Sequence, residues 1–260
     1  MSAADPDYGL LDRAGAAATA FYPRPDHVPA PPGAKDLTLG VAPGVKLGAR
    51  SYSGSRTDPT ILYFHGNGEV ASDHDDFAPF YRKIGVNLLV VEFRGYGTSS
   101  GSPSFASLVA DARVVAGWFH TYLDGEGFSG ARFVMGRSMG AHPALEIAAR
   151  FPARFAGLVL ESGAGNLRRF ASRFGLDAQT AEDLVAAHEM KIRSIEMPVL
   201  MIHGQRDELV PLSSAIETYD LISAAERELV IVANAGHNDI LWVGHRQYFE
   251  AVAAFVARHS

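Results

Sequence analysis

The sequence predicts an α/β domain: a mostly parallel central sheet with helices on both faces and an antiparallel pair of strands at its N-terminal edge. Three observations carry this. Six compact runs, "TILYFHG", "VNLLVVEF", "ARFVMG", "AGLVLES", "PVLMIHG" and "ELVIVANAG", are almost continuously apolar, as strands buried on both faces are. Helical spacing alternates with them, over residues 72–84, 104–124, 139–151, 213–224 and 240–258, and strand–helix repetition implies a parallel sheet with right-handed crossovers. Finally, 260 residues with 47% hydrophobic and 20% charged content suffice for one large core and fall short of two.

Taken in order, residues 1–35 read as an extended arm, because "PRPDHVPAPPG" is too rich in proline for a helix or a central strand. The domain proper spans residues 36–260. It opens with "DLTLGV" and "VKLGARSY", two alternating segments around Ala42-Pro43-Gly44 that suggest a hairpin at the sheet edge. One connection is much longer than a crossover requires. Residues 164–196 could form two short amphipathic helices, read as a small cap insertion over the C-terminal ends of the strands, where open parallel sheets place ligands.

Composition excludes several functions. With Lys+Arg 23 against Asp+Glu 29, the net charge is -6, and no basic run could neutralise several phosphates, so no nucleic-acid partner is expected. The absence of cysteine excludes disulfides, thiolate catalysis and thiolate metal sites. "SDHDD", residues 72–76, resembles a set of metal ligands, yet acids at a helix start are explained by capping, and no partner cluster accompanies them; no metal and no cofactor is expected. The N-terminus reads as neither signal peptide nor anchor, and no apolar run spans a membrane, so a cytoplasmic protein is expected.

Two pentapeptides fit G-x-S-x-G, the pattern of a serine-nucleophile elbow: Gly97-Thr98-Ser99-Ser100-Gly101 and Gly136-Arg137-Ser138-Met139-Gly140. An elbow requires a buried strand that ends almost at the serine and a helix that starts at once. Ser138 meets both conditions, with "RFVMG" before it and "MGAHPALEIAARF" after it. Ser99 meets neither, since an Arg-Gly-Tyr-Gly loop separates it from its strand and Ser102-Pro103 stands where the helix would begin.

A serine hydroxyl needs a histidine base, and that histidine a carboxylate to orient it. Of the ten histidines, His237 in "NAGHND" follows the last strand in a loop, which fits the base. Asp207 in "HGQRDELVP" fits the acid, in a turn that would hold a short carboxylate near its strand; Glu161, one strand earlier, is the competitor. Oxyanion donors are expected from the backbone N–H of Met139, at the start of the elbow helix, and of Asn67 in "HGNGE". The bland reading of that loop is an ordinary glycine turn.

Taken together, "HGNGE", "FRGYGTSSGSP", "GRSMG", "HGQRDELVP" and "AGHND", in this order from about residue 38 to 258, make the chain resemble the α/β-hydrolase superfamily. In detail it is similar to small bacterial Bem46-type and serine aminopeptidase-like hydrolases. The resemblance implies an α/β-hydrolase fold, Ser138, Asp207 and His237 as triad, and Asn67 and Met139 as oxyanion donors. It implies a serine hydrolase of carboxylic esters acting through an acyl-enzyme on a small ester or thioester, with acyl thioesterase as the nearest alternative. A peptidase and a noncatalytic binding module are the weaker ones. The arm and the cap lie outside the motif match.

Overall fold

The computed structural model describes residues 5–13, 15, 17–168 and 176–260. Eight strands form one sheet in the order β1-β2-β4-β3-β5-β6-β7-β8. They are β1 Ala34–Ala42, β2 Val45–Tyr52, β3 Thr60–Phe64, β4 Asn87–Val91, β5 Arg132–Arg137, β6 Gly157–Glu161, β7 Val199–Gly204 and β8 Arg227–Val232. The β1–β2 hairpin joins β4 in antiparallel register, and every pairing from β4 to β8 is parallel. This is the mostly parallel sheet with an antiparallel edge that the apolar runs predict.

Strands β3 to β7 are buried at nearly every position because both faces are covered. Alternate residues divide between two cores. Leu62, Val134, Leu160 and Met201 face the helices α4 (Phe105–Glu126) and α5 (Ala141–Arg150), whereas Tyr63, Phe133, Val159 and Ile202 face α3 (Ala78–Lys83) and α9 (His245–Arg258). The first core also takes Leu184, Val185 and Ile192 of α6 (Ala178–Arg193) and Ala215 of α7 (Leu212–Leu221). Among the described residues no helix is long and apolar enough to cross a membrane.

Some elements depart from expectation. The arm is not extended throughout: Gly9–Arg13 (α1) and Ala17–Ala20 (α2) are helical, since the proline-rich stretch begins only at Pro23 and Leu11 buries itself in the core. The helix expected over residues 72–84 is a 3-10 turn, Ala71–His74, followed by α3. Asp73 caps this turn as expected, accepting from the amide of the N-cap Val70 at 3.0 Å, whereas Asp75 beyond it accepts from Arg50 at 2.9 Å and from Tyr52 at 2.6 Å. The helix expected over 240–258 breaks at Gly244 into α8 (Ile240–Val243) and α9; a Cβ there would lie 2.4 Å from Val232. Of the two cap helices expected between 164 and 196, α6 is a single helix of 16 residues joined to the main core, and residues 169–175 lie outside the described residues.

Candidate active site

The C-terminal ends of the parallel strands gather the residues singled out by sequence. Strand β5 ends at Arg137, a 3-10 turn spans Ser138–Gly140, and α5 follows. So sharp a turn holds Ser138 at φ 51, a left-handed conformation that non-glycine residues adopt at a cost of about 1–3 kcal/mol. Both flanking glycines are required by contact: a Cβ on Gly136 would lie 2.1 Å from the Gly140 carbonyl oxygen, and one on Gly140 would lie 2.1 Å from that of Phe64. Ser99 does different work. Its Oγ accepts from the Gly48 amide at 2.9 Å, which fastens its loop to β2.

Ser138 Oγ lies 2.9 Å from His237 Nε2, and His237 Nδ1 lies 2.7 Å from Asp207 Oδ2. The carboxylate acceptor places the imidazole proton on Nδ1 and leaves Nε2 free to accept from the serine. Asp207 is itself held by its turn, since Oδ1 accepts from the amides of Leu209 at 3.0 Å and Val210 at 2.7 Å. Burial disfavours its charge. The bonds from His237 and Val210, with the nearby imidazoles, outweigh that, so its carboxyl is held below the usual carboxylate range.

Glu161, the other carboxylate considered for this place, is turned to different partners. One oxygen accepts from Arg137 Nε at 3.1 Å and the other from the Tyr248 hydroxyl at 2.7 Å.

A cavity of about 410 Å³ opens over Ser138 and His237 and is lined also by Asn67, Met139, Phe105, Leu209 and Val210. Both expected donors therefore border it. The Met139 amide belongs to a first helical turn, whose N–H groups have no partner within the helix. The Asn67 amide has no acceptor among the described residues.

Arg137 was not legible as a site residue, because the pattern leaves its position open. Buried at 8% exposure, it binds three other segments of the chain: the Glu69 loop, the end of β6 and the loop of His237 and Asn238. Its guanidinium pairs with Glu69 and Glu161 and donates to the His237 carbonyl at 3.0 Å and to Asn238 Oδ1 at 3.1 Å. Glu69 in turn accepts from the Gly66 amide at 2.9 Å. One cation thus ties the histidine loop and the Asn67 loop to the strand carrying Ser138. Burial works against its charge, and Glu69 and Glu161 outweigh this and raise its pKa above the ordinary value. Burial also opposes the Glu69 charge, yet His74, Arg137 and the Gly66 amide hold that carboxyl well below its ordinary range. The only sequence signal was a charged residue inside an otherwise apolar strand end.

Comparison with known proteins gives the family of the chain. A family model described as serine aminopeptidase, S33, matches residues 55–186, and one for the prolyl oligopeptidase family matches residues 122–260. The chain belongs to the α/β-hydrolase superfamily. Relatives within this superfamily include protein bem46 of Schizosaccharomyces pombe, 28% identical over 78% of this chain and 68% of that protein. The uncharacterized protein Rv2307c of Mycobacterium tuberculosis is 28% identical over 91% of this chain and 85% of its own length. Alpha/beta hydrolase domain-containing protein 17C of Xenopus tropicalis is 32% identical over 76% of this chain and 61% of that protein. Among solved structures, the Pyrococcus furiosus esterase Pf2001 superposes with a TM-score of 0.71 at 21% identity, covering 92% of this chain and 99% of its own. A soluble variant of monoglyceride lipase from Saccharomyces cerevisiae gives 0.71 at 15% identity, covering 90% and 99%.

Proposed function

We propose that this α/β-hydrolase is a serine hydrolase that cleaves carboxylic esters through an acyl-enzyme. The observation that carries the reading is the unbroken hydrogen-bond chain from Ser138 through His237 to Asp207, opening into a cavity beside two backbone amides. As the Ser138 oxygen attacks the ester carbonyl, its proton passes to His237 Nε2, and Asp207 stabilises the imidazolium. The amides of Asn67 and Met139 receive the negative charge that develops on the carbonyl oxygen. His237 then returns the proton to the departing alcohol, leaving the acyl group on Ser138. Water, deprotonated by His237, attacks this acyl group and frees the acid and the serine.

The lining favours a small uncharged ester, since Phe105, Met139, Leu209 and Val210 contribute apolar surface. The structural neighbours, an esterase and a monoglyceride lipase, accord with that class. A thioester would pass through the same steps with a thiol leaving. The reading is tested with a fluorophosphonate probe and p-nitrophenyl esters: wild type should be labelled at Ser138 and turn over, and Ser138→Ala should do neither. Well-folded wild type that resists labelling would sink the proposal. A thioester matched in acyl chain, run beside the esters, sets the preferred leaving group.

A further inference from the structure

The arm and the Asn67 loop meet in a way the motifs do not imply. Asn67 carries one of the two amides assigned above to the oxyanion, and its side chain is spent on the arm. Its Nδ2 donates to the Ala20 carbonyl at 2.7 Å, and its Oδ1 accepts from the Tyr22 amide at 2.9 Å and from the Tyr96 hydroxyl at 2.6 Å. Tyr96 is fully buried and belongs to the "RGYG" loop after β4. Contacts of Arg24 and Asp26 extend this clasp toward Gly68 and Gly97. Arg24 Nε donates to the Gly68 carbonyl at 3.0 Å, the Gly97 amide donates to the Arg24 carbonyl at 2.9 Å, and the Asp26 amide donates to the Gly97 carbonyl at 3.2 Å.

The same segment faces the cavity. Thr19, Ala20 and Tyr22 line it together with Ser138 and His237, and none of the three carries a charge. Phe21, between them, is buried with its ring centroid 5.0 Å from that of Phe105, which lines the cavity as well. The wall is therefore anchored at Phe21 and clasped at Asn67.

We propose that the arm is a working part of the site: residues 19–22 receive the apolar, uncharged group of the ester, and the clasp on Asn67 sets its amide for the oxyanion. This rests on the ester-hydrolase reading. The clasp restrains rotation of Asn67 about its own backbone, and a donor displaced by about 1 Å costs on the order of a hundredfold in rate. Ala20 and Tyr22 determine specificity, whereas Tyr96 and the Asn67 carboxamide are positioning groups.

The test is a chain-length series of p-nitrophenyl acetate, butyrate and octanoate on the full chain. Ala20→Phe narrows the wall and Tyr22→Ala opens it, so each should change the octanoate-to-acetate ratio of kcat/KM by about fivefold or more, chiefly through KM, with opposite signs. Tyr96→Phe and Asn67→Ala, which keep the Asn67 amide and remove clasp bonds, should lower kcat by about ten- to a hundredfold at every chain length with little change in KM. Val28→Ala, an exposed arm position outside the cavity, should match wild type. An unchanged ratio in both wall variants, or Tyr96→Phe within twofold of wild-type kcat, overturns the proposal.

Amide hydrogen exchange separates this from failure of the hydrolase reading. If wild type neither reacts with the probe nor cleaves any ester, that reading falls. The clasp is then judged alone: Tyr22 and Gly97 should be protected in wild type and exchange faster in Tyr96→Phe, and equal protection in both overturns it.

Discussion

Residues 97–101 and 136–140 spell the same pattern, a glycine on either side of x-Ser-x, and the fold uses them in different ways. In the first, the serine turns inward to cap the Gly48 amide of β2, six residues beyond Phe93, where its own apolar run ends. In the second, strand and helix meet without a spacer, glycine contacts close the turn, and the serine is forced into a left-handed conformation with its hydroxyl against an imidazole. Five letters permit both outcomes. What separates them is the distance from strand end to helix start.

The contrast is broken or sharpened most strongly by removing each hydroxyl. Ser138→Ala should reduce ester turnover by on the order of 10⁴-fold or more, and Ser99→Ala, which loses one capping bond, should keep kcat/KM within about threefold. Probe attachment at Ser99, read by peptide mapping, would reverse the assignment. Next in size is the carboxylate: Asp207→Asn should lower kcat by about 10³- to 10⁴-fold, while Glu161→Gln should act mainly through stability. Comparison of turnover and melting temperature for the two variants decides it, and a greater kcat loss in Glu161→Gln would move the orienting role one strand back.

A third effect is thermodynamic. Gly136→Ala places a methyl 2.1 Å from backbone and should destabilise the fold by about 1–3 kcal/mol in urea titration. Gly101→Ala meets nothing nearer than a Val45 methyl at 3.3 Å, although its φ of 80 adds strain, and should cost less. A fourth effect, on the same scale, concerns pH. His142, one helical turn after Ser138, is held neutral by burial and by the charge of Lys191, with its pKa lowered to about 4, and burial, with the charge of Lys191, drives His188 of α6 well below its ordinary value. In the unfolded chain both bind a proton near pH 6.5, before the native protein does. Stability is therefore full above about pH 6.5 and declines as pH falls toward 4, each histidine adding a slope of up to about 1.4 kcal/mol per pH unit. The urea midpoint should drop between pH 7 and 5, and less so in His142→Gln; an equal drop in both proteins counts against the assignment.

Much of this architecture was legible because it follows from local rules. Doubly buried strands read as apolar runs, and Ser138, Asp207 and His237 each stand in a loop just past such a run, so the arrangement that brings them together was foreseeable from spacing. What escaped depends on residues that meet only in three dimensions. Arg137 gathers Glu69, Glu161 and the His237 carbonyl from separate loops, and no spacing reveals a cation shared in that way. Nor does spacing show that Glu161, the competitor of Asp207, is engaged by Tyr248, 87 residues away in sequence, which donates to the second oxygen of that carboxylate. The helices of the arm are not legible from the prolines gathered between Pro23 and Pro32, and its placement is decided by Leu11 and Phe21, which are buried in the core.

The clasp between the arm and the body also bears on the order in which the molecule assembles. The partners of the arm lie far along the chain: Tyr22 meets Asn67 across 45 residues, Asp12 accepts from the Phe105 amide across 93, and Tyr8 bonds to His188 across 180. Closing such loops gains nothing until the sheet and its helices already stand, so the arm joins last. A refolding chain should therefore pass through a state in which the sheet and its helices stand while the arm, with Leu11 and Phe21, has still to dock. Ester turnover should return after intrinsic fluorescence has recovered, and the lag between the two signals would measure the docking of a segment that contains neither Ser138 nor His237.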